Sequence, residues 1–390
     1  MDHHPSPDAL AWAQRLVRFN TVSHESNLPL IECIADHLRD LGVDLRLTWD
    51  EDRRKANLFA TLGADKPGGL VLSGHTDTVP WDGQDWSDDP LSGRVKDSRL
   101  YGRGSADMKG FIATVVANTR HFLEADPPLA LHYAFSYDEE VGGFGVRHLL
   151  ADLRDAGLAP ALCIVGEPTN MTPALAHKGV HRWRCHVHGK AAHSSLTPMA
   201  VNAVEAAARI AAAVAALADE LRDSGPRQAG FDVPYTTAAV CRIEGGIADN
   251  IVPESARLHY EFRDLPGSDV DALQRRIAAA AAALEPAMKA VSPQAGMRFE
   301  NTADMPAFSA AADEPVVKLV QRLLGSQRTT LVAFGTEAGL FQRQGMSTVV
   351  CGPGSIEQAH QADEFVSLEQ LARCEALLRA LVQAPAGIDR

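Results

Sequence analysis

The 390-residue sequence has no excess of basic residues and no long hydrophobic run. Its 37 Lys and Arg residues stand against 50 Asp and Glu residues, so the formal net charge is −13. Nucleic-acid binding relies on Lys and Arg to neutralise phosphates, so this balance argues against a nucleic-acid partner. No segment approaches the roughly 20 apolar residues of a membrane span, and no basic region followed by an apolar stretch marks a secretion signal. We therefore expect a soluble, cytoplasmic protein that binds a small molecule.

Cysteine is scarce, and its spacing argues against a thiolate metal site. The six cysteines are scattered without a CxxC pair, at Cys33, Cys163, Cys185, Cys241, Cys351 and Cys374. This scatter is not typical of a disulfide framework or a thiolate metal site. We expect reduced, mostly buried thiols that pack in the core.

The first and last parts of the chain have the pattern of an α/β domain. From Pro7 to Gly157, short apolar runs such as "GLVLSG" alternate with amphipathic segments such as "LPLIECIADHLRDLG" (28–42), which stops at a glycine. This alternation predicts a mostly parallel sheet with helices on both faces. In such a sheet, ligands bind beyond the carboxyl ends of the strands.

The pattern changes near residue 180. Strand-like and helical segments then follow in the order βαββαβ, over residues 180–190, 200–223, 236–246, 255–267, 270–291 and 296–306. This is the order of a ferredoxin-like domain. Because α/β patterning resumes at "PVVKLVQRLLG", we predict that residues 180–306 are inserted into a larger domain made of residues 1–179 and 307–390.

Acidic and imidazole side chains recur where apolar runs give way to polar loops. They are His75, Asp107, Glu139, Glu140, Glu167 and His360. Taken singly, each has an ordinary explanation, such as a helix cap for Asp107 or a solvated turn for the paired glutamates. Gathered at one edge of a sheet, however, the carboxylates would repel one another unless a cation neutralised them. Imidazole and carboxylate donors suit zinc.

The number of candidate ligands indicates more than one ion. Two histidines and three carboxylates exceed the four ligands of one tetrahedral zinc ion. We therefore expect two metal ions about 3.5–4 Å apart with one carboxylate between them. The fourth carboxylate is then left for chemistry.

Seven motifs along the chain resemble those of a known family. They are "SGHTDTVP", "YGRGSADMKG", "DEEVGG", "GEPT", "GKAAHSS", "DNIVPE" and "GPGSIEQAHQADE". In this order, and along nearly the whole chain, they are similar to the dinuclear-zinc metallopeptidases and deacylases of the M20 family. The resemblance implies two zinc ions, for which cobalt can substitute, and hydrolysis of an N-acyl amide. It also implies that the inserted domain is a lid through which two chains form a homodimer.

The resemblance assigns each candidate ligand to one or both of the two metal ions. It implies that His75 and Glu167 bind one ion, that His360 and Glu140 bind the other, and that Asp107 bridges both.

Two further roles near the metals follow from the same resemblance. Asp77 would orient His75 by accepting the second N–H of its ring, as partners of metal-bound imidazoles usually do. Glu139 would be the general base, and the peptide bond between Asp107 and Met108 would be cis.

Four residues are candidates for contacts with the substrate. The family places His193 of the lid as a donor to the tetrahedral oxyanion, either in its own site or across a dimer. Arg263 and Asn250 match family positions that bind the substrate carboxylate and shape the site. Glu337, after the strand-like "TTLVAF", is our candidate to meet an ammonium group. The alternatives are an exposed histidine in a turn, a surface arginine and a solvated loop glutamate.

Segments such as "AFGTEAGLF" are most similar to the branch of the family that acts on N2-acetyl-L-ornithine, although Gly339 stands where that branch commonly has proline. This implies release of L-ornithine and acetate in arginine biosynthesis. Other substrates with the same chemistry are N-acetylcitrulline, N-acetylmethionine and succinyl-diaminopimelate. A non-catalytic metal or amino-acid binding protein is a further alternative, but it would have lost the base or a ligand, and all six groups are present.

Overall fold

The computed structural model describes residues 4–66 and 68–383, and its helices follow the amphipathic segments of the sequence. The helices are α1 Pro7–Val17, α2 Leu28–Asp40, α3 Gly110–Ala117, α4 Thr119–Ala125, α5 Phe144–Asp155, α6 Ala203–Ser224, α7 Val270–Val291, α8 Pro315–Leu324, α9 Ala338–Arg343 and α10 Leu368–Leu381. After α2 the chain turns at Gly42, whose φ of 73° glycine adopts without steric cost. Within the described residues, none of these helices combines the length and the apolar character of a membrane span.

The strands coincide with the short apolar and alternating runs. They are β1 Asp44–Trp49, β2 Ala56–Leu62, β3 Leu70–His75, β4 Arg94–Lys96, β5 Arg99–Tyr101, β6 Leu131–Ser136, β7 Leu162–Pro168, β8 Ala174–His177, β9 Val180–His188, β10 Ala192–His193, β11 Thr237–Gly245, β12 Ile251–Val252, β13 Ser255–Arg263, β14 Gly296–Met305, β15 Phe308–Ser309, β16 Thr330–Val332, β17 Ser347–Gly352 and β18 Phe365–Ser367. Every residue of β3, β6 and β7 is buried. Strands buried on both faces are typical of the centre of an α/β sheet.

The chain divides into two compact units. The first unit contains residues 1–176, 308–331 and 336–390, and the second contains residues 177–307 and 332–335. The outermost residues of the predicted domain ranges, 1–3 and 384–390, lie outside the part of the chain that the structure describes.

The main sheet of the first unit has the strand order β1-β2-β6-β3-β7-β17-β8-β15, with β16 beside β8. Its central strands β6, β3, β7 and β17 are mutually parallel, whereas β1 and β2 pair antiparallel, as do β2 and β6. The β1–β2 pair is antiparallel because residues 50–55 form a short connection, and only a longer crossover can join parallel neighbours. The predicted α/β class is confirmed, with its parallel part at the centre of the sheet.

The second unit has the predicted βαββαβ order, formed by β9, α6, β11, β13, α7 and β14. Its sheet has the antiparallel order β11-β13-β9-β14. One face of the sheet packs against α6 and α7, and Leu258, Tyr260, Ile210 and Ile277 are among the buried residues of this core. The ferredoxin-like fold expected for the inserted segment is therefore confirmed.

Candidate metal centre

Four of the candidate ligands come from the carboxyl ends of neighbouring strands. His75 is the last residue of β3, and Glu167 lies near the end of β7. Glu140 follows β6, and His360 lies in the loop after β17. Because these four strands are parallel neighbours, their carboxyl ends meet at one edge of the sheet.

Asp107 lies between the two imidazoles. It belongs to the turn Ser105–Lys109, which immediately precedes α3. Its Oδ1 is 2.9 Å from His75 Nε2, and its Oδ2 is 3.3 Å from His360 Nε2. A carboxylate whose two oxygens face different imidazoles has the arrangement of a bridging ligand. The peptide bond from Asp107 to Met108 is cis, as the resemblance implied.

Each imidazole also faces a second carboxylate. Glu167 Oε1 is 3.6 Å from His75 Nε2, and Glu140 Oε2 is 3.2 Å from His360 Nε2. These pairs are the ones that the resemblance placed on separate ions. We refer to His75, Asp107, Glu139, Glu140, Glu167 and His360 as the donor cluster.

The donor atoms are close enough together to share metal ions. Two groups have ligand atoms within 4.8 Å of one another: His75, Glu139 and Glu167 form one, and His75, Asp107 and Glu140 form the other. Glu139, the candidate base, therefore also lies within reach of a metal ion. The division between ligand and base remains a prediction.

Carboxylates outnumber imidazoles in the donor cluster, and this excess affects their protonation. Burial, together with the charges of neighbouring carboxylates, raises the pKa of Glu139 and of Glu167 well above its usual range. Burial and Asp107 raise the pKa of Glu140. Burial alone would lower the pKa of His75, but Asp107 and Asp77 raise it well above its usual range. A set of N and O donors in which carboxylates are in excess fits divalent cations such as zinc.

Asp77 contacts the cluster in a different way from the one expected. His75 Nδ1 lies 3.0 Å from the backbone oxygen of Asp77, whereas the Asp77 carboxylate is 3.6 Å away. The carboxylate instead accepts the backbone N–H groups of Glu139 and Glu140 at 3.1 and 3.3 Å, and the hydroxyl of Ser23 at 2.7 Å. Asp77 thus holds the turn that carries the two glutamates, while its backbone orients the imidazole.

Glu337 is buried beneath the strand ends. It is 1% exposed, so the alternative of a solvated loop glutamate is wrong. Its carboxylate accepts hydrogen bonds from Ser136 at 2.5 Å and from Ser73 at 3.3 Å, on β6 and β3 respectively. Burial raises the pKa of Glu337 to about 7. Its oxygens are engaged by these hydroxyls, and the structure does not test the hypothesis that they meet a substrate ammonium.

Comparison with known proteins identifies the family. The sequence matches peptidase family M20/M25/M40 over residues 71–384, which is most of the chain. The chain belongs to this family. It is 35% identical over 370 residues to the acetylornithine deacetylase of Aliivibrio salmonicida, covering 93% of this chain and 94% of that protein. It is 36% identical over 359 residues to the enzyme of that name from Pasteurella multocida, covering 92% and 91%.

Solved structures of the family share the fold. An M20 family metallo-carboxypeptidase from Sulfolobus solfataricus matches with a TM-score of 0.76 at 17% identity, covering 96% of this chain and 98% of that one. Identity this low supports the fold alone. Family membership itself makes the M20 chain a metal-dependent hydrolase, and the donor cluster has the composition that such an enzyme needs.

His193 and Asn250 of the M20 chain lie side by side in the second unit. His193 pairs with Ile251 in the β10–β12 ladder, and the backbone oxygen of Asn250 accepts the N–H of Ser194 at 2.9 Å. His193 is exposed, and its Nδ1 accepts the N–H of Ser195 at 3.2 Å. Its ring therefore has Nε2 available for a further partner. The roles of both residues remain predictions.

Arg263 ends β13 and is engaged within its own strand. Its Nε donates to Glu261 Oε1 at 3.1 Å, and its Nη2 donates to Glu261 Oε2 at 3.3 Å. A substrate carboxylate would have to compete with Glu261 for the guanidinium. Its predicted role is untested by this geometry.

Sequence reasoning passed over residues that support the cluster. Arg103 and Glu364 lie inside motifs quoted above, "YGRGSADMKG" and "GPGSIEQAHQADE", but neither was given a role. They form a buried ion pair that contacts the turn of Asp107. A signal existed, since a charged residue beside a ligand inside a specific motif is a candidate for support of that ligand.

Proposed function

We propose that this M20 chain is a zinc-dependent deacetylase that converts N2-acetyl-L-ornithine into L-ornithine and acetate, a reaction of arginine biosynthesis. The observation that carries the proposal is the convergence of the donor cluster at one sheet edge. The substrate is supported by relatives named acetylornithine deacetylase, which are 35–36% identical over more than 90% of both chains.

The donor cluster fits two zinc ions. His75 and Glu167 would hold one ion, His360 and Glu140 the other, and Asp107 both. Bound zinc would lower the pKa of a water molecule toward about 7 and polarise the acyl carbonyl. Cobalt, which accepts similar donors, would substitute.

Glu139 would move the proton. It would take a proton from the water whose oxygen bonds to the acyl carbon, and it would deliver that proton to the nitrogen as the C–N bond breaks. The hydrogen bond from its backbone N–H to the Asp77 carboxylate fixes its position. The products are then a free amine and acetate.

Three residues of the second unit are proposed to contact the substrate. We propose that His193 Nε2 donates a hydrogen bond to the oxyanion, from the same chain or from a partner, and that Arg263 and Asn250 receive the substrate carboxylate. We also propose a cytoplasmic homodimer formed through this unit. Val240 and Ile243 of the edge strand β11 are 37% and 46% exposed, which supports an interface there, and all six cysteines are free, which suits a reducing compartment. The mass of the protein in solution tests the dimer.

The test of the reaction is a screen for amine release. Zinc-loaded protein is incubated with N-acetylornithine, N-acetylcitrulline, N-acetylmethionine and N-succinyl-diaminopimelate, and the Glu139→Ala variant serves as the blank. We expect the highest kcat/KM on N-acetylornithine. Higher kcat/KM on another member of the set would keep the chemistry and replace the substrate, whereas no release from any of them would contradict the proposal.

A further inference from the structure

Arg103 and Glu364 are two buried charged residues beside the donor cluster that the reaction does not use. Arg103 Nη1 donates to Glu364 Oε2 at 2.6 Å, and each side chain is 1% exposed. Removing two such charges from water costs several kcal/mol per ion, so a buried pair of this kind is a weak source of stability. A role of the pair is therefore to be sought in its other hydrogen bonds.

The Glu364 carboxylate holds the turn that carries Asp107. Its Oε1 accepts the backbone N–H groups of Ala106 and Asp107 at 2.9 and 3.1 Å. Its Oε2 accepts the N–H of Gly104 at 3.1 Å in addition to the guanidinium. Four N–H donors thus converge on one carboxylate, and one of them belongs to the candidate bridging ligand.

Arg103 extends the same network to His360. Its Nη2 donates to Gln84 Oε1 at 2.6 Å, and Gln84 Nε2 donates to the backbone oxygen of His360 at 2.8 Å. His360 has a φ of 62°, a region that residues other than glycine seldom occupy, so its loop needs support from outside. The indole N–H of Trp86 also donates to Gln84 Oε1, at 3.0 Å, which fixes the amide.

We propose that Glu364 is a positioning residue which, through Arg103 and Gln84, sets the separation of Asp107 and His360 and thereby the affinity for metal ions. The network joins the two backbones, while the side chains face each other at 3.3 Å. A carboxylate is required at residue 364, because a glutamine amide would turn its NH2 group toward two of the converging donors. This inference rests on the metal centre proposed above.

The test compares Glu364→Gln with Glu375→Gln. Glu375 is a matched control, since it is a buried glutamate of α10 that accepts the N–H of Ser6 at 2.7 Å and pairs with Arg379. Metal-free wild type and both variants are titrated with zinc in a calorimeter, and the absorption spectra of the cobalt-loaded proteins are recorded. Mutation of a residue that orients a metal ligand typically lowers metal affinity by about 10- to 100-fold. We expect a loss of that size and an altered cobalt spectrum for Glu364→Gln, with both readouts unchanged for Glu375→Gln.

A second variant separates the two ends of the network. Gln84→Leu removes the link to His360 and leaves the bonds from Glu364 to the turn of Asp107. We expect it to weaken the ion held by His360 and to spare the other. Because Gln84 is only half-buried, this variant remains informative if Glu364→Gln does not fold.

The outcomes distinguish this inference from the proposed function. A wild type that binds two ions, with folded Glu364→Gln and Gln84→Leu variants whose zinc affinities lie within twofold of it, would overturn the positioning role alone. A wild type without a bound pair of ions would overturn the proposed function as well.

Discussion

Two buried histidines of this protein each lie between carboxylates, one in each unit, and their surroundings differ. In the first unit, His75 Nε2 lies 2.9 Å from Asp107 and 3.6 Å from Glu167. In the second unit, His181 lies 2.8 Å from Asp304 and 3.1 Å from Asp264, and its side chain is 3% exposed. Both arrangements would look alike to a search for a histidine beside acidic residues.

The difference lies in how many donors converge. Around His75, further carboxylates form two groups of donor atoms that lie within 4.8 Å of one another. A second imidazole, that of His360, lies 3.3 Å from Asp107. Among the described residues, His181 with its two aspartates is not part of any such group. Its imidazolium offsets the charge of one of its two aspartates, whereas the donor cluster combines four carboxylates with only two imidazoles. A metal centre is therefore marked by excess donors, and an isolated His–Asp contact is better explained as a structural ion pair.

The largest effect on kcat should come from substitution of Glu139, the carboxylate of the donor cluster that is not expected to bind a metal ion. Glu139→Ala should retain two zinc ions and lower kcat by at least about 10²- to 10⁴-fold, because it removes the general base. Metal analysis and kcat on N-acetylornithine check this. Loss of an ion from the variant would instead make Glu139 a ligand, as its place in one donor group allows.

His360→Ala should remove one ion of the pair. Asp107 would still face His75, so the other ion should remain bound after dialysis, with zinc content falling from two to one per chain. Atomic absorption measures the content. If the variant kept both ions with wild-type affinity, His360 would lie outside the metal centre. The surroundings of His75 and His181 would then differ only in their number of carboxylates.

His181 should govern stability and leave metal content unchanged. Burial lowers its pKa, but Asp264 and Asp304 raise it, to about 9. Since the folded pKa lies above the unfolded value of about 6.5, the stabilisation is fully present below pH 6.5 and is lost as pH rises through 9. His181→Gln should therefore lower the free energy of unfolding by about 2–3 kcal/mol near pH 6 and by much less near pH 10. Urea unfolding midpoints at both pH values test this. A loss of stability that does not depend on pH, or release of zinc from the variant, would contradict a purely structural role of His181.

Glu337→Gln should have the smallest effect. Glutamine can still accept one of the two serine hydroxyls, so we expect less than about a tenfold loss in kcat/KM, equal for N-acetylornithine and N-acetylmethionine. Kinetics on both substrates provide the measurement. A loss confined to N-acetylornithine would show that the carboxylate meets the substrate ammonium, as the sequence-based hypothesis holds.

Much of the architecture could be predicted from local pattern. The helix expected over 270–291 has those bounds as α7, and the βαββαβ order appears as expected. Hydrophobic periodicity is a property of neighbouring residues, so it can be read along the chain. The same holds for four of the candidate ligands, since they follow apolar runs and parallel strands bring such ends to one edge. Asp107 differs, because it lies in the turn Ser105–Lys109 before α3 and not at the end of a strand of the main sheet.

Contacts between distant residues were decided only by the tertiary structure. Glu364 reaches Arg103 across 261 residues, and Glu337 lies beneath Ser136 across 201. The Asp77 carboxylate turned to the backbone of Glu139 although His75 was its nearer neighbour in sequence. The sequence by itself determined which side chains stand at the ends of strands. The choice of hydrogen-bond partner among them depends on distances and angles of a few tenths of an ångström, which exist only once the strands, turns and loops have packed.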